Sequence, residues 1–515
     1  MRTSGILMHI TSLPGPYGVG TMGKNAYAFV DFLEEAGQSF WQILPLTPTG
    51  YGDSPYQSCS TFAGNHYLID LDSLVEAGLL KTEELKNITW CSREDKADFG
   101  LLYNSRLKVL RLAYARFRGG KDFDAFRAAN ADWLPDFTLF MALKDHFGGK
   151  PWYSWDKAYK FREESAMESA RREFRDDCGF YAFVQYLFFT QWTALRTYAA
   201  GKGIRFIGDV PIYVPLDSVE VWSSPELFQL DEALQPVDVA GVPPDAFTAD
   251  GQLWGNPLYR WDEMRRDGYR WWIRRLAAAG KWYDTVRLDH FRGFEAYWAV
   301  PYGAANARGG HWVKGPGMDF MRTLKQALPQ LSLIAEDLGF LTDDVLELRD
   351  ASGYPGMKVL QFAFDSREPS DYLPHTYIKN TVCYSGTHDN MTTRQWLETG
   401  TPEMREYAGS YMHLTEAEGE VWGVIRTAMS SVSDLCVIPM QDYLNLGAEA
   451  RMNFPGTLSD SNWTWRAKDG MIGKSLAQKI RTLTELYARL GSQAGKTEKQ
   501  AEKTAVSADE AEALN

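Results

Sequence analysis

Eight short apolar runs, separated by stretches of helical periodicity, limit the folds open to this 515-residue chain. The runs cover residues 5–10, 40–46, 205–212, 285–290, 331–337, 357–364, 381–385 and 435–440. They are near-continuously hydrophobic rather than alternating, the pattern of strands buried on both faces of a parallel sheet. Phe29, Phe32, Leu33 and Ala36 recur at helical spacing around residues 25–35. Residues 183–200 are apolar nearly all round, which predicts a buried helix, and 269–279 and 320–328 complete similar units. This alternation predicts an α/β fold: a (β/α)8 TIM barrel with inserted subdomains.

The spacing is uneven. About 160 residues separate the second run from the third, far more than a βα unit needs. A charged, helix-rich subdomain is expected there, at about 47–175. A second excursion, about 213–258, carries Gly241-Val-Pro-Pro-Asp245, Asp250-Gly251 and Trp254-Gly-Asn-Pro257. Its Pro and Gly density predicts an ordered loop rather than helix, and long loops in compact domains are usually lids. Residues 1–490 then form one catalytic barrel. Residues 491–515, with almost no large apolar side chain before Leu514, are expected to be a disordered tail.

Three acids sit at or just after the ends of apolar runs: Asp289, Glu336 and Asp389. A carboxylate at the exit of a buried strand is expensive to desolvate. In a barrel the strand exits converge on the face where chemistry is done, so acids repeated there are expected to act together. Two carboxylates facing one bond are the equipment for glycosidic cleavage. Strand alternation puts Arg287 on the face of Asp289, which favours the ionised acid a nucleophile requires. Taken alone, the pair could equally be structural. Glu336 follows Ser-Leu-Ile-Ala; an apolar setting raises a glutamic acid and lets it hold a proton. Taken alone, it could instead cap a helix or sit in a salt bridge. Its neighbour Asp337 must point elsewhere, for example to cap the next helix. His388 and Asp389, in Ser385-Gly-Thr-His-Asp-Asn, suit hydroxyl recognition, although Asn390 and Thr392 also fit an Asx turn. His290 and His388 beside carboxylates match no zinc spacing, so no metal is expected. Tyr51, Tyr56 and Trp254 sit in Gly- and Pro-shaped segments that could line a cleft.

The formal charge of −13 argues against nucleic acid and anionic membrane as partners, and leaves a neutral substrate unaffected. No stretch reaches membrane-span length. Five scattered cysteines, with no CxxC pair, read as reduced thiols of a cytoplasmic protein. Neither nucleotide-binding glycine signature is present, and no cofactor is expected.

Ser12-Leu-Pro-Gly-Pro-Tyr-Gly, Trp41-Gln-Ile-Leu-Pro-Leu, Gly50-Tyr-Gly-Asp-Ser-Pro-Tyr-Gln-Ser, Gly208-Asp-Val-Pro-Ile-Tyr, Trp254-Gly-Asn-Pro-Leu-Tyr, Arg287-Leu-Asp-His-Phe-Arg-Gly, Ala335-Glu-Asp-Leu-Gly, Gly386-Thr-His-Asp-Asn and Glu449-Ala-Arg-Met-Asn occur in this order. Together they resemble the 4-α-glucanotransferases of glycoside hydrolase family 77, in the α-amylase clan. The resemblance implies a barrel without a separate C-terminal β-domain. It implies Asp289 as nucleophile, Glu336 as acid/base and Asp389 as transition-state stabiliser. Arg287, His290 and His388 would touch substrate, and Asp245 and Trp254 would belong to a mobile cover. Tyr51 would serve a secondary glucan site and Tyr56 the donor side. Ala246 stands where the family has an aromatic, beside Phe247. The implied donors are maltodextrins or glucans derived from glycogen or starch, with glucose or maltose as acceptor. A plain α-1,4-glucan hydrolase is the alternative.

Overall fold

The computed structural model describes residues 2–50, 52–244, 249–339, 341–364 and 370–491. Tyr51, Asp245, Ala246, Phe247 and the expected tail from 492 onward lie outside the described residues. The strands are β1 (Thr3–Leu7), β2 (Phe40–Gln42), β3 (Arg205–Val210), β4 (Asp238–Val242), β5 (Gln252–Pro257), β6 (Thr285–Leu288), β7 (Ala296–Pro301), β8 (His311–Lys314), β9 (Ser332–Ala335), β10 (Gly356–Val359), β11 (Thr381–Tyr384) and β12 (Leu435–Pro439).

Eight of them form one sheet in the order β10–β11–β12–β1–β2–β3–β6–β9, every pair parallel. The two ends of the sheet meet, so the fold is a (β/α)8 barrel. At this seam the Ala335 N–H donates to the Pro355 carbonyl at 2.9 Å. Beyond it a side chain replaces the ladder: the Met357 N–H donates to Asp337 Oδ1 at 2.7 Å. Asp337 Oδ2 also accepts from Arg349 at 2.7 Å. The expected helix cap at Asp337 is therefore corrected to a seam contact, because the residue points away from the barrel axis toward β10. Inside the barrel, Tyr384 Oη donates to Gln42 Oε1 at 2.9 Å, a satisfied polar tie in an otherwise apolar core.

Each apolar run forms a barrel strand. Several strands stop short of their run because the chain fans out at the exit; residues 360–362, for instance, turn into a 3-10 helix. Val286, Leu288, Val382, Val437 and Ile438 are all essentially excluded from water. Burial of such side chains contributes roughly 1.5–3 kcal/mol each. The helix Lys24–Glu35 buries Phe29, Phe32 and Leu33 and packs against the late helix Lys474–Leu486, which closes the outer ring. The helix Arg175–Gly201 is longer than the apolar run suggested. It is buried nearly all round only over 180–188, where the helix Leu134–His146 covers its second side; Thr193, Ala194 and Thr197 are exposed.

Between β2 and β3 the chain builds a series of helices, from Asp72–Glu76 to Glu164–Glu173, before entering Arg175–Gly201. The 213–258 excursion is not the plain loop that its composition suggested. It contains β4 and β5, which join β7 and β8 in an antiparallel sheet of order β5–β4–β7–β8. Its Pro and Gly residues punctuate those strands: Pro243 and Pro244 follow β4, and Gly251, at φ +65°, makes the turn into β5. Among the described residues no strand longer than an isolated bridge follows β12.

Candidate active site

The exits of β3, β6, β9 and β11 bring four acids to one face. Asp209 lies near the end of β3, Asp289 follows β6, Glu336 follows β9 and Asp389 lies five residues past β11. Short backbone bonds hold the exits together. The Asp289 N–H donates to the Val210 carbonyl and the Glu336 N–H to the Leu288 carbonyl, each at 3.1 Å.

Arg287, on β6, is the hub. Its Nη1 reaches Asp209 at 2.8 Å and Asp289 at 2.9 Å, and its Nη2 lies 3.9 Å from Glu336 Oε2. The guanidinium is 4% exposed and stays charged beside these acids. Glu336 also accepts two backbone N–H groups: Oε2 from His290 at 2.7 Å and Oε1 from Leu338 at 2.8 Å. His290 reaches this position in the left-handed region, φ +51°, unusual for a residue with a side chain. The bend aims its N–H at Glu336 and stacks its ring edge-on against Trp254, 4.8 Å between centroids.

Asp389 is held from the far end of the chain. Asn453 Nδ2 donates to its Oδ1 at 2.7 Å, and Arg451 donates to its backbone carbonyl at 3.0 Å. His388 Nε2 lies 3.3 Å from Asp389 Oδ2. The turn reading of this segment holds as well. Asn390 Oδ1 accepts from the backbone and hydroxyl of Thr387, the Asp389 N–H donates to that hydroxyl, and Thr392 caps the following helix, so the Asp389 carboxylate takes no part in the turn. Tyr56 donates to Asp209 at 2.8 Å and stacks on His388, rings 5.2 Å apart and nearly parallel. Trp463 packs against both rings.

Three carboxylates against one guanidinium leave an excess of negative charge in a poorly hydrated place. Burial pushes Glu336 above the usual carboxylate range; Arg287 opposes the rise and the charge of Asp289 adds to it. Burial raises Asp289 too, with Arg287 opposing and Asp209 and Asp389 adding. Arg287 does favour the ionised form of Asp289, as expected, but burial outweighs it and raises the acid overall. The two acids titrate as a pair. Asp289 gives up its proton first, because it touches Arg287 directly and its side chain is 27% exposed, against 3.9 Å and 10% for Glu336. Burial lowers His290 to about 3, with help from Arg292, and lowers His388, so both rings are neutral hydrogen-bonding groups at neutral pH.

The structure thus gathers Arg287, Asp289, His290, Glu336, His388, Asp389, Tyr56 and Trp254 around one face; Tyr51 and Asp245 are not described. Sequence reasoning missed Asp209, Asn453, Arg451 and Trp463. Asp209 carries the same signal as the other acids, since it closes the third apolar run. The other three sit after β12 in a stretch without periodicity; Arg451 and Asn453 lie within the string Glu449-Ala-Arg-Met-Asn, but only contacts across the fold give them a role.

A barrel with paired carboxylates at its strand exits, one more buried than the other, is the class to which enzymes acting on glycosidic bonds belong. The family model described as 4-alpha-glucanotransferase, glycoside hydrolase family 77, matches residues 8–472, and the chain belongs to that family. It is 50% identical over 486 residues to a 4-alpha-glucanotransferase of Clostridium butyricum, covering 94% of this chain and 100% of the relative. It is 47% identical over 505 residues to that of Thermus thermophilus, covering 95% and 99%. The structure of amylomaltase from Streptococcus agalactiae in complex with acarbose superposes with a TM-score of 0.93 at 43% identity, covering 95% of this chain and all of the other.

Proposed function

We propose that this chain is a retaining 4-α-glucanotransferase that moves segments of an α-1,4-glucan from a maltodextrin donor to the 4-hydroxyl of glucose, maltose or a longer chain. Asp289 attacks the anomeric carbon while Glu336 protonates the departing oxygen, giving a covalent glycosyl-enzyme of inverted configuration. The acceptor hydroxyl, deprotonated by Glu336, then displaces Asp289 and restores the α linkage. Asp389 grips ring hydroxyls most tightly in the oxocarbenium-like state, which is differential binding. Arg287, His290 and His388 position the sugar at the break. Tyr56 and Trp254 flank it. Tyr51 serves a secondary glucan site, and Asp245 belongs with Trp254 to the cover.

The observation that carries this reading is the single Arg287 guanidinium spanning Asp289 and Glu336. It brings an acid that ionises first and an acid that keeps its proton within reach of one bond. Transfer rather than hydrolysis requires an acceptor held in place and water kept out; the half-buried Trp254 on β5, against His290, supports a cover there.

We further infer that residues 1–490 work as one catalytic unit, with the 47–175 insert and the 213–258 segment framing its cleft. Among the described residues no helix is long and apolar enough to cross a membrane. A cytoplasmic setting suits the five free cysteines.

Incubation with maltotriose tests the function. The expected products are glucose and a ladder of maltodextrins longer than the donor. Glucose and maltose alone, with no longer chain at any time, would replace the transferase with a hydrolase.

A further inference from the structure

The small antiparallel sheet has a second face that the proposed reaction does not use. Register pairs Leu253 with Gly241, Gly241 with Trp298 and Trp298 with Trp312, so these four positions share one face of β5, β4, β7 and β8. The opposite face is spoken for: Tyr297 and Ala299 join the main core, and Trp254 lies against His290. The middle of the first face is covered, with Val239 and Val300 buried under Ala307, but its margins keep large apolar side chains in water. Leu253 is 41% exposed and Trp312 39%; at the end of the sheet Val237 is 57% and Tyr302 48% exposed. An exposed apolar cluster of this kind marks a binding surface.

Trp312 is the ordered element of the cluster. The Arg292 guanidinium stacks over its ring, 4.0 Å from the centroid, and Trp298 meets it edge-on at 5.2 Å. The Trp298 indole N–H is already used, donating to the Ala307 carbonyl at 2.8 Å. One broad face of Trp312 is therefore fixed against a cation while its ring remains open to solvent, as a flat platform rather than a floppy side chain. The charges around it are paired among themselves: Arg308 with Asp250, and Lys314 with Glu295 and Asp344. A neutral ligand with apolar C–H faces and hydroxyl edges fits. Arg292 lies two residues beyond His290, so the ring is braced by the same segment whose N–H holds Glu336.

We propose that Trp312, with Trp298 beside it, is a docking platform for the part of a long α-glucan chain that extends beyond the cleft, and that it favours long donors over short ones. This rests on the glucan reading of the site. It is tested in the full-length chain carrying Asp289→Asn, which binds without turnover. In affinity electrophoresis on amylose, adding Trp312→Ala is expected to weaken retention about fivefold, and Trp312→Phe, which keeps a ring, to restore most of it. Maltotriose affinity, measured by calorimetry on the same proteins, should stay within about twofold. In the otherwise wild-type chain, Trp312→Ala should lower kcat/KM for amylose relative to maltotriose by the same factor. Unchanged amylose retention, or an equal loss for amylose and maltotriose, would overturn the platform. So would a dimer of the parent chain that Trp312→Ala dissociates, since the face would then belong to a second copy. Failure of the transferase reading is seen separately, in the wild-type maltotriose products.

Discussion

Glu336 and Asp337 are neighbours at the exit of β9, both buried, and their surroundings give them opposite work. Asp337 faces the seam. It bonds Arg349 and the Met357 N–H, each at 2.7 Å, and its side chain is 2% exposed. Arg349 touches it directly, while also bonding the more exposed Asp350 at 2.7 Å, and the Met357 contact ties β9 to β10. Glu336 faces the pocket. Its nearest cation, Arg287, is 3.9 Å away and already shared with Asp209 and Asp289. Burial of an acid does not by itself make it catalytic. What separates the two is whether a cation touches the buried charge directly, at 2.7 Å for Asp337 against 3.9 Å for Glu336. The compensated acid holds the barrel together, and the under-compensated one keeps a proton that chemistry can use.

The contrast predicts that substitutions in the pocket cost rate and substitutions at the seam cost stability. The largest effect is expected for Asp289→Asn, which should lower the maltotriose turnover rate by about 10⁴-fold or more with an unchanged circular dichroism spectrum. Near-wild-type turnover would remove Asp289 from the nucleophile role. Glu336→Gln should lower kcat by about 10²–10⁴-fold and abolish the alkaline limb of the pH profile. In the wild type that limb falls where Glu336 loses its proton, above the ordinary carboxylate range, because burial raises the group. The stability sign is opposite to the rate sign. A raised acid binds its proton more tightly folded than unfolded, so Glu336 makes folding progressively less favourable as pH rises from its unfolded value to its folded one. Glu336→Gln should therefore be at least as stable as wild type at neutral pH in a urea titration.

At the seam, Asp337→Asn should destabilise the fold by about 1–3 kcal/mol, since it removes the buried charge that Arg349 and the Met357 N–H share, although Arg349 keeps Asp350, while kcat at low temperature stays within a few-fold. A large loss of kcat in a stable protein would erase the distinction between the two acids. The smallest effect is expected for Asp209→Asn. The charge of Asp209 helps to raise Asp289, and its loss frees Arg287 to pair with Asp289 more fully. Both changes move the acid limb of the activity profile to lower pH, which a kcat/KM titration would register.

Much of this was legible in the sequence because buried parallel strands advertise themselves. The runs ending at Asp289 and Glu336 marked both the barrel and its chemical face. The small sheet was not legible, because Pro243, Pro244 and Gly251 occur at strand ends but in composition look like loop. The alternation of Tyr297, Trp298, Ala299 and Val300 before a Gly-rich link to His311–Lys314 was the available signal for β7 and β8. Asp209 was missed although it repeats the strand-exit pattern. Asn453 could not be found locally, since its bond to Asp389 joins residues 64 apart in sequence. The αL backbone of His290 was equally hidden: no glycine announces it, and the bend exists because the contacts with Glu336 and Trp254 hold it.

The most direct measurement is a covalent trap. Glu336→Gln protein given α-maltosyl fluoride needs no acid to release its leaving group but lacks the base that activates an acceptor, so the glycosyl-enzyme should accumulate. Mass spectrometry of its peptides is expected to find one maltosyl group, carried by the peptide containing Asp289 and located on that side chain. A maltosyl group on Asp209 or Asp389, or fluoride release with no adduct and a product of inverted configuration, would contradict the division of labour between Asp289 and Glu336.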